Sequence, residues 1–219
     1  MNLSPEQIRL ILIRVFVLVA SVAFHEFGHA FMADRLGDDT PRRQGRVTLN
    51  PLAHADPIGT LLLPLIGAYY GGGSFGWGRP VQWNPARIAR KHRMSTARIL
   101  VAVAGPAMNV VLAVLITAIN ALLLWKGVIT RGGQLDRILA YAVFTNFILF
   151  FFNLIPAPPL DGGHVAEGLT PYKYRATFEN YARFGPFILM AVVLIPQLAR
   201  IFVVPAMWCG EHLYRLFGM

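Results

Sequence analysis

Between Val15 and Ala33 the only ionisable residues are His25, Glu26 and His29, and everything around them is apolar or small. The apolar run begins near Ile8. At about 20 residues or more such a run is a candidate membrane span. Within lipid the backbone must satisfy its own polar groups, which makes the stretch a helix. On a helix, residues four apart share a face, so His25 and His29 point the same way, one turn apart. Two imidazoles in that relation grip one zinc ion, and the intervening Glu26 polarises the water that the zinc binds. A carboxylate near mid-bilayer costs about 2.5–3.5 kcal/mol, which marks Glu26 as functional. The pattern H-E-x-x-H fixes only three positions, and on a soluble helix it is more often a solvated face. Among Val, Ala, Phe and Met, however, unpaired burial is expensive, and a shared metal removes most of that cost.

Composition agrees with a polytopic α-helical membrane protein. Of 219 residues, 55% are hydrophobic and 14% charged, against about 25% charged in soluble domains. The length suits a single membrane-embedded domain over 1–219, with a core at about 7–165 and a C-terminal membrane helix at about 183–209. The net charge is +9. Its basic residues cluster in loops between apolar runs, which argues against a nucleic-acid partner and for positive loops facing the cytoplasm. Cys209 is the single cysteine. It excludes an internal disulfide and a Cys-rich zinc site, leaving His, Asp and Glu as ligands. A cleaved leader ending at Ala23 fits poorly, because Ile8 and Leu10–Ile13 spoil the polar start that a leader needs.

In chain order, Ser4 and Pro5 read as the cap and first residue of a spanning helix over 7–35, ending near Gly37. A basic loop follows. Gly45–Asn50 alternates weakly and is a short strand candidate, closed by Asn50-Pro51. Residues 57–70 are apolar but interrupted by Pro57, Gly59, Pro64 and Gly67, so a re-entrant or broken helix is expected. After Gly71–Ser74, a flexible loop, Phe75–Trp83 suits an edge strand, since it carries Pro80 among alternating aromatics. The two strand candidates together predict a small β element. Further spans are expected at 97–125, 135–157 and 183–209, the last with limits blurred by Pro186, Pro196 and Pro205.

A catalytic zinc takes three protein ligands and leaves one position open. The extended pattern with a third histidine fails, because Met32 and Arg35 fill its Gly and His slots. The first Glu after Glu26 is Glu167. Asp161 is the better candidate, just past the third span and followed by Gly162-Gly163, which let backbone approach a ligand closely. It is equally a turn Asp before Gly. Topology adds a condition. If only two full spans separate His29 from Asp161, both reach the same membrane face; a crossing at 57–70 would put them on opposite faces. The metal reading therefore requires that 57–70 not cross. The basic 35–97 segment and the loop with Lys173, Arg175 and Arg183 then share one side, which positive-inside places in the cytoplasm.

With His25-Glu26-x-x-His29 in the first helix, and Asn153-x-x-Pro156 followed by Leu160-Asp161-Gly162-Gly163 after a later one, the sequence resembles the site-2 protease family of intramembrane zinc metalloproteases. The match covers residues 10–165. Gly105-Pro106-x-x-Asn109 is similar to a further motif of the family, and Gly45–Asn50 with His54-x-Asp56-x-x-Gly59 looks like a compact prokaryotic branch without PDZ or CBS domain. The resemblance implies a three-helix core, one Zn²⁺ per chain on His25, His29 and Asp161, Glu26 as general base, and Asn153 holding substrate. It implies single-pass membrane proteins as substrates, cleaved within or near the bilayer of a prokaryotic cell.

The other polar residues carry weaker expectations. Strand addition to 45–50 or 75–83 would hold a substrate extended. Asn153 is as readily a helix-packing contact, and Asn109 is expected to pack helices. His54 and Asp56 gate the site or serve as structural loop residues; His164 lies behind the metal or is a solvated loop histidine. Arg87–Arg98 suits lipid headgroups. The rival class is an ion or metal transporter using the same His, Glu and Asp as a pathway, though no internal repeat supports it. Substrate identity, trigger and oligomeric state are not encoded in any motif.

Overall fold

The computed structural model describes residues 4–69 and 76–219. Helix α1, Pro5–Arg35, opens on a reciprocal cap. The Ser4 hydroxyl accepts from the Gln7 N–H at 3.2 Å, and the Gln7 side chain accepts from the Ser4 N–H at 2.8 Å, with Pro5 first in the helix. Helices α2, Met94–Trp125, and α3, Gln134–Asn153, follow the loops. Among the described residues these three are the unbroken helices long and apolar enough to cross a membrane. The third stops at Asn153, short of the expected 157. Pro156 cannot continue a helix and biases its neighbour away from helical geometry.

Small residues bring α1 onto α2. A Cβ on Gly28 would strike the Ala104 carbonyl and sit 2.7 Å from Met108 Cγ, so only glycine permits this approach. One apolar patch, Ala33, Leu36, Ile88, Ala97 and Val101, seals the C-terminal end of α1 against α2. A second, Ala113, Val143, Phe147 and Ala206, binds α2 and α3 to the last helix.

Beyond α3 the chain turns through Pro156–Leu160 into α4, Asp161–Leu169, which lies against the start of α2. Arg98 pairs with Glu167 there, and Gly168 abuts Ile99. Then come α5, Arg175–Ala182, α6, Gly185–Leu194, and α7, Pro196–Leu216. The stretch expected to span at 183–209 is a bent pair of helices, α6–α7, meeting at 81°. Ile195 is extended and Pro196 starts a new helix, whereas Pro205 sits inside α7 without ending it.

The 36–93 connection corrects the strand expectations. Gly45–Asn50 is turn and bend, because its polar groups go to local caps. Asn50 Oδ1 accepts from the Leu52 N–H at 3.1 Å, His54 Nε2 donates to the Thr48 carbonyl at 2.8 Å, and the Arg46 guanidinium donates to the Ala53 carbonyl. Over 57–69 the chain forms a π-helical turn, Pro57–Leu62, and a short helix, Leu63–Tyr69, of six and seven residues. At 1.5 Å per residue they cannot cross a hydrocarbon core of about 30 Å. The expected flexible loop Gly71–Ser74, and Phe75, lie outside the described residues. From Gly76 to Trp83 no ladder forms. The segment is a single strap whose alternate N–H groups, at Trp77, Arg79 and Val81, donate to the Gly59 carbonyl (3.1 Å), the His54 carbonyl (2.8 Å) and Glu26 Oε2 (3.2 Å). Alternation is the mark of extended chain, but its partners are turns and a side chain. Among the described residues there is no β element.

Candidate metal centre

His25 and His29 face α2 from the last third of α1, and the α4 N-terminus brings Asp161 to them. His25 Nε2 and His29 Nε2 are 3.0 Å apart. Asp161 Oδ2 lies 3.1 Å from His25 Nε2, and its Oδ1 lies 3.3 Å from His29 Nε2. These three residues form the candidate metal-holding group among the described residues. Their side chains are only 9–12% exposed. Among the described residues, α2 and α3 are the two unbroken span-length helices between them, as the topological condition requires.

The other ring nitrogens test whether a cation fits. His29 Nδ1 is 2.7 Å from the Val101 carbonyl, and His25 Nδ1 is 2.7 Å from Asn109 Oδ1. Both partners are acceptors, so each Nδ1 carries the proton and each Nε2 presents a lone pair. Two imidazole lone pairs and a carboxylate then converge with no donor among them. Asp161 Oδ2 is buried and makes no hydrogen bond despite its short distance to His25. A divalent cation resolves that conflict. Ligand atoms about 2.0–2.2 Å from a tetrahedral zinc sit a little over 3 Å from one another, the spacing seen here.

Gly105 makes room for the cluster. A Cβ there would run into His29 Nε2 and Cε1 and would lie 2.8 Å from His25 Nε2. Gly162 and Gly163 serve a different purpose from the one their sequence context suggests. A Cβ on Gly162 would strike the carbonyls of Leu154 and Ile155, and one on Gly163 would strike the backbone of Ala157–Pro158. The two glycines fold α4 back onto the turn that delivers Asp161.

Glu26 lies beside the cluster, with Oε2 accepting from Val81 N–H; a Cβ on Gly78 would be 3.3 Å from Oε1. The strap therefore crosses directly over this carboxylate. Between strap, α1, α2, α3 and α4 lies a cavity of about 670 Å³ holding all four of His25, Glu26, His29 and Asp161. Its apolar wall includes Trp77, Trp83, Phe152 and Leu189, and its polar rim is Arg98, His164 and Glu167. His164 Nδ1 is 3.8 Å from Glu167 Oε2, and burial pushes the His164 imidazole down.

Asn153 lines the cavity, with its amide donating to the Leu149 carbonyl one turn back at 2.9 Å. His54 and Asp56 stand apart from the cluster. His54 is buried on the Thr48 carbonyl, and Asp56 Oδ1 caps the π-helical turn, accepting from Ile58 N–H (3.0 Å) and Gly59 N–H (2.6 Å). Their link to the site is indirect, through the strap bonded to the His54 and Gly59 carbonyls. Sequence reasoning gave Asn109 to helix packing and missed that it seats His25. It also missed Asn146, Ser21 and the Arg98–Glu167 pair. The available signal was polar side chains inside apolar spans.

The model of peptidase family M50 matches residues 13–133 and 126–195. The chain belongs to peptidase family M50. It is 36% identical over 208 residues to "Putative zinc metalloprotease YwhC" of Bacillus subtilis, covering 93% of this chain and 90% of the relative. It is 32% identical over 217 residues to "Putative zinc metalloprotease Rip2" of Mycolicibacterium smegmatis, covering 93% and 74%. The protein of the same name from Mycobacterium tuberculosis is 34% identical over 198 residues, covering 84% and 69%. No solved structure matches. This M50 chain is an integral membrane protein and a zinc metalloprotease, which decides between the peptidase and transporter readings.

Proposed function

We propose that this M50 peptidase, one membrane-embedded domain over 1–219, hydrolyses peptide bonds of membrane-spanning protein substrates. Zinc is held by His25, His29 and Asp161, and Glu26 is the general base. The observation that carries the reading is the convergence of three unprotonated donor atoms, with Glu26 adjacent, inside one largely apolar cavity. Bound zinc supplies Lewis acidity, lowering the pKa of water toward about 7 and polarising a carbonyl. Glu26 accepts the proton of the attacking water and passes it to the leaving amine. Val81 N–H holds one carboxylate oxygen of Glu26, leaving the other to take that proton.

A helical substrate hides its carbonyls in hydrogen bonds, so it must unwind before attack. The strap offers the means: 77, 79 and 81 turn their N–H groups to the protein, so the carbonyls of 78 and 80 are free to receive an extended substrate by strand addition. Pro80 lacks an N–H, which keeps the added ladder short. Asn153, at the cavity wall, bonds the substrate backbone. The basic loops support a site that faces the cytoplasm of a prokaryotic cell membrane. The test compares wild type with Glu26→Gln in proteoliposomes carrying a reporter helix. Glu26→Gln keeps zinc and fold and loses cleavage by at least about 10²-fold. Proteolysis at the wild-type rate by that variant refutes the assignment.

A further inference from the structure

The interior of the bundle carries a directional hydrogen-bond chain that ends on His25. Asn109, on α2, donates Nδ2 to the Ser21 carbonyl at 3.1 Å and to Asn146 Oδ1 at 2.9 Å. Asn146, on α3, donates its own Nδ2 to the Ala142 carbonyl at 2.9 Å and to the Ser21 hydroxyl at 3.0 Å. Asn109 and Asn146 are fully buried and Ser21 nearly so. A backbone carbonyl can only accept, which removes the usual freedom of an amide to flip. The Ala142 carbonyl fixes Asn146 with its nitrogen inward, so Asn146 Oδ1 faces Asn109. The Ser21 carbonyl and Asn146 Oδ1 together fix Asn109, so Asn109 Oδ1 faces His25 at 2.7 Å. His25 then has one compatible tautomer, Nδ1–H, and its Nε2 lone pair points at Asp161 and His29.

We propose that Asn146 is a positioning residue for the metal: through Asn109 it locks His25 in the tautomer that presents Nε2, before any ion binds. The proposal rests on the reading of His25 as a zinc ligand. Its physical basis is that a ligand histidine needs an acceptor behind it, and here the acceptor is a side-chain amide, which has two orientations. One orientation offers oxygen to His25 and the other offers an N–H donor. Asn146 makes the second costly, because flipping Asn109 would set its oxygen against both the Ser21 carbonyl and Asn146 Oδ1. One polar residue from each of the three long helices, Ser21, Asn109 and Asn146, is therefore committed to a single proton position. Correct packing of α3 against α1 and α2 becomes a condition for a competent site.

The test uses the full-length protein in nanodiscs with Asn146→Ala, Ser21→Ala and, as control, Asn120→Ala. Asn120 is just as buried on α2, but its amide donates to Asp136 Oδ1 at 2.8 Å, away from the metal group. Zinc affinity is read by chelator competition, and the His25 tautomer of the zinc-free protein by ¹⁵N NMR. Asn146→Ala is expected to weaken zinc by about 10–100-fold and to give mixed tautomer signals at His25. Ser21→Ala gives a smaller loss in the same direction, and Asn120→Ala gives none. Wild-type affinity in Asn146→Ala, or an equal loss in Asn120→Ala, overturns the proposal. A wild type that binds no zinc counts against the proposed function instead, and the relay is then judged on the nitrogen spectrum alone: a single Nδ1–H tautomer that survives Asn146→Ala overturns it.

Discussion

Substituting Gly105 by Ala asks whether the metal cluster depends on a missing methyl group. In most helix interiors Gly→Ala stabilises by about 1 kcal/mol, because Ala loses less backbone entropy. At Gly105 the new Cβ would overlap His29 Nε2 and Cε1 and press on His25 Nε2. These are ends of side chains, which usually swing aside cheaply. Here they are pinned from behind, at Asn109 Oδ1 and the Val101 carbonyl. Moving either ring gives up a buried hydrogen bond of about 1 kcal/mol and risks an unsatisfied group costing about 1–3 kcal/mol. Overpacking adds about 1–3 kcal/mol. The net expectation is destabilisation by a few kcal/mol and a fall in zinc affinity of at least about tenfold, since displaced donors no longer converge. Gly210→Ala, on α7, is the matched control, because nothing lies within 4 Å of its new Cβ. It should stabilise by up to about 1 kcal/mol. Thermal unfolding in detergent and zinc titration read both variants. Equal behaviour of the two, with wild-type zinc affinity in Gly105→Ala, would refute the packing argument.

Other expectations follow from the same geometry. Asp161→Asn should cost at least about tenfold in zinc affinity by removing the anionic ligand, measured as zinc content after dialysis. Chelation should abolish cleavage and lower the melting temperature, with both restored by added zinc, because binding to the folded state alone stabilises it. Gly185→Ala should destabilise by about 1–3 kcal/mol, since its Cβ would collide with the Pro158 carbonyl in the turn that delivers Asp161; an unchanged melting temperature would count against that contact. Asp39 is held below the ordinary carboxylate range by Arg43 and also by Arg87. A depressed folded pKa contributes stability that is present above the unfolded value of about 3.9 and lost as pH falls through the folded value. Arg43→Ala should therefore shrink the difference in melting temperature between neutral and acid pH.

The sequence by itself determined that three long apolar helices form and that His25 and His29 share a face, because each depends on length or periodicity. Asp161 was a candidate by elimination of other ligands, equally readable as a turn residue, and only the fold brings its carboxylate to within 3.1 Å of His25 and 3.3 Å of His29. The strands were misread for a physical reason. Alternation at 75–83 records an extended chain, but whether its N–H groups meet a neighbouring strand or a glutamate is set by what lies alongside. Gly162-Gly163 likewise advertised close backbone approach without saying to what, and the answer is the chain's own turn at 154–158. The α6–α7 bend was hidden because several prolines compete, and packing chose Pro196 over Pro205. The proton position on His25 was the least visible feature. It follows from which amide atoms of Asn109 and Asn146 meet which carbonyls, and only three helices brought side by side could decide that.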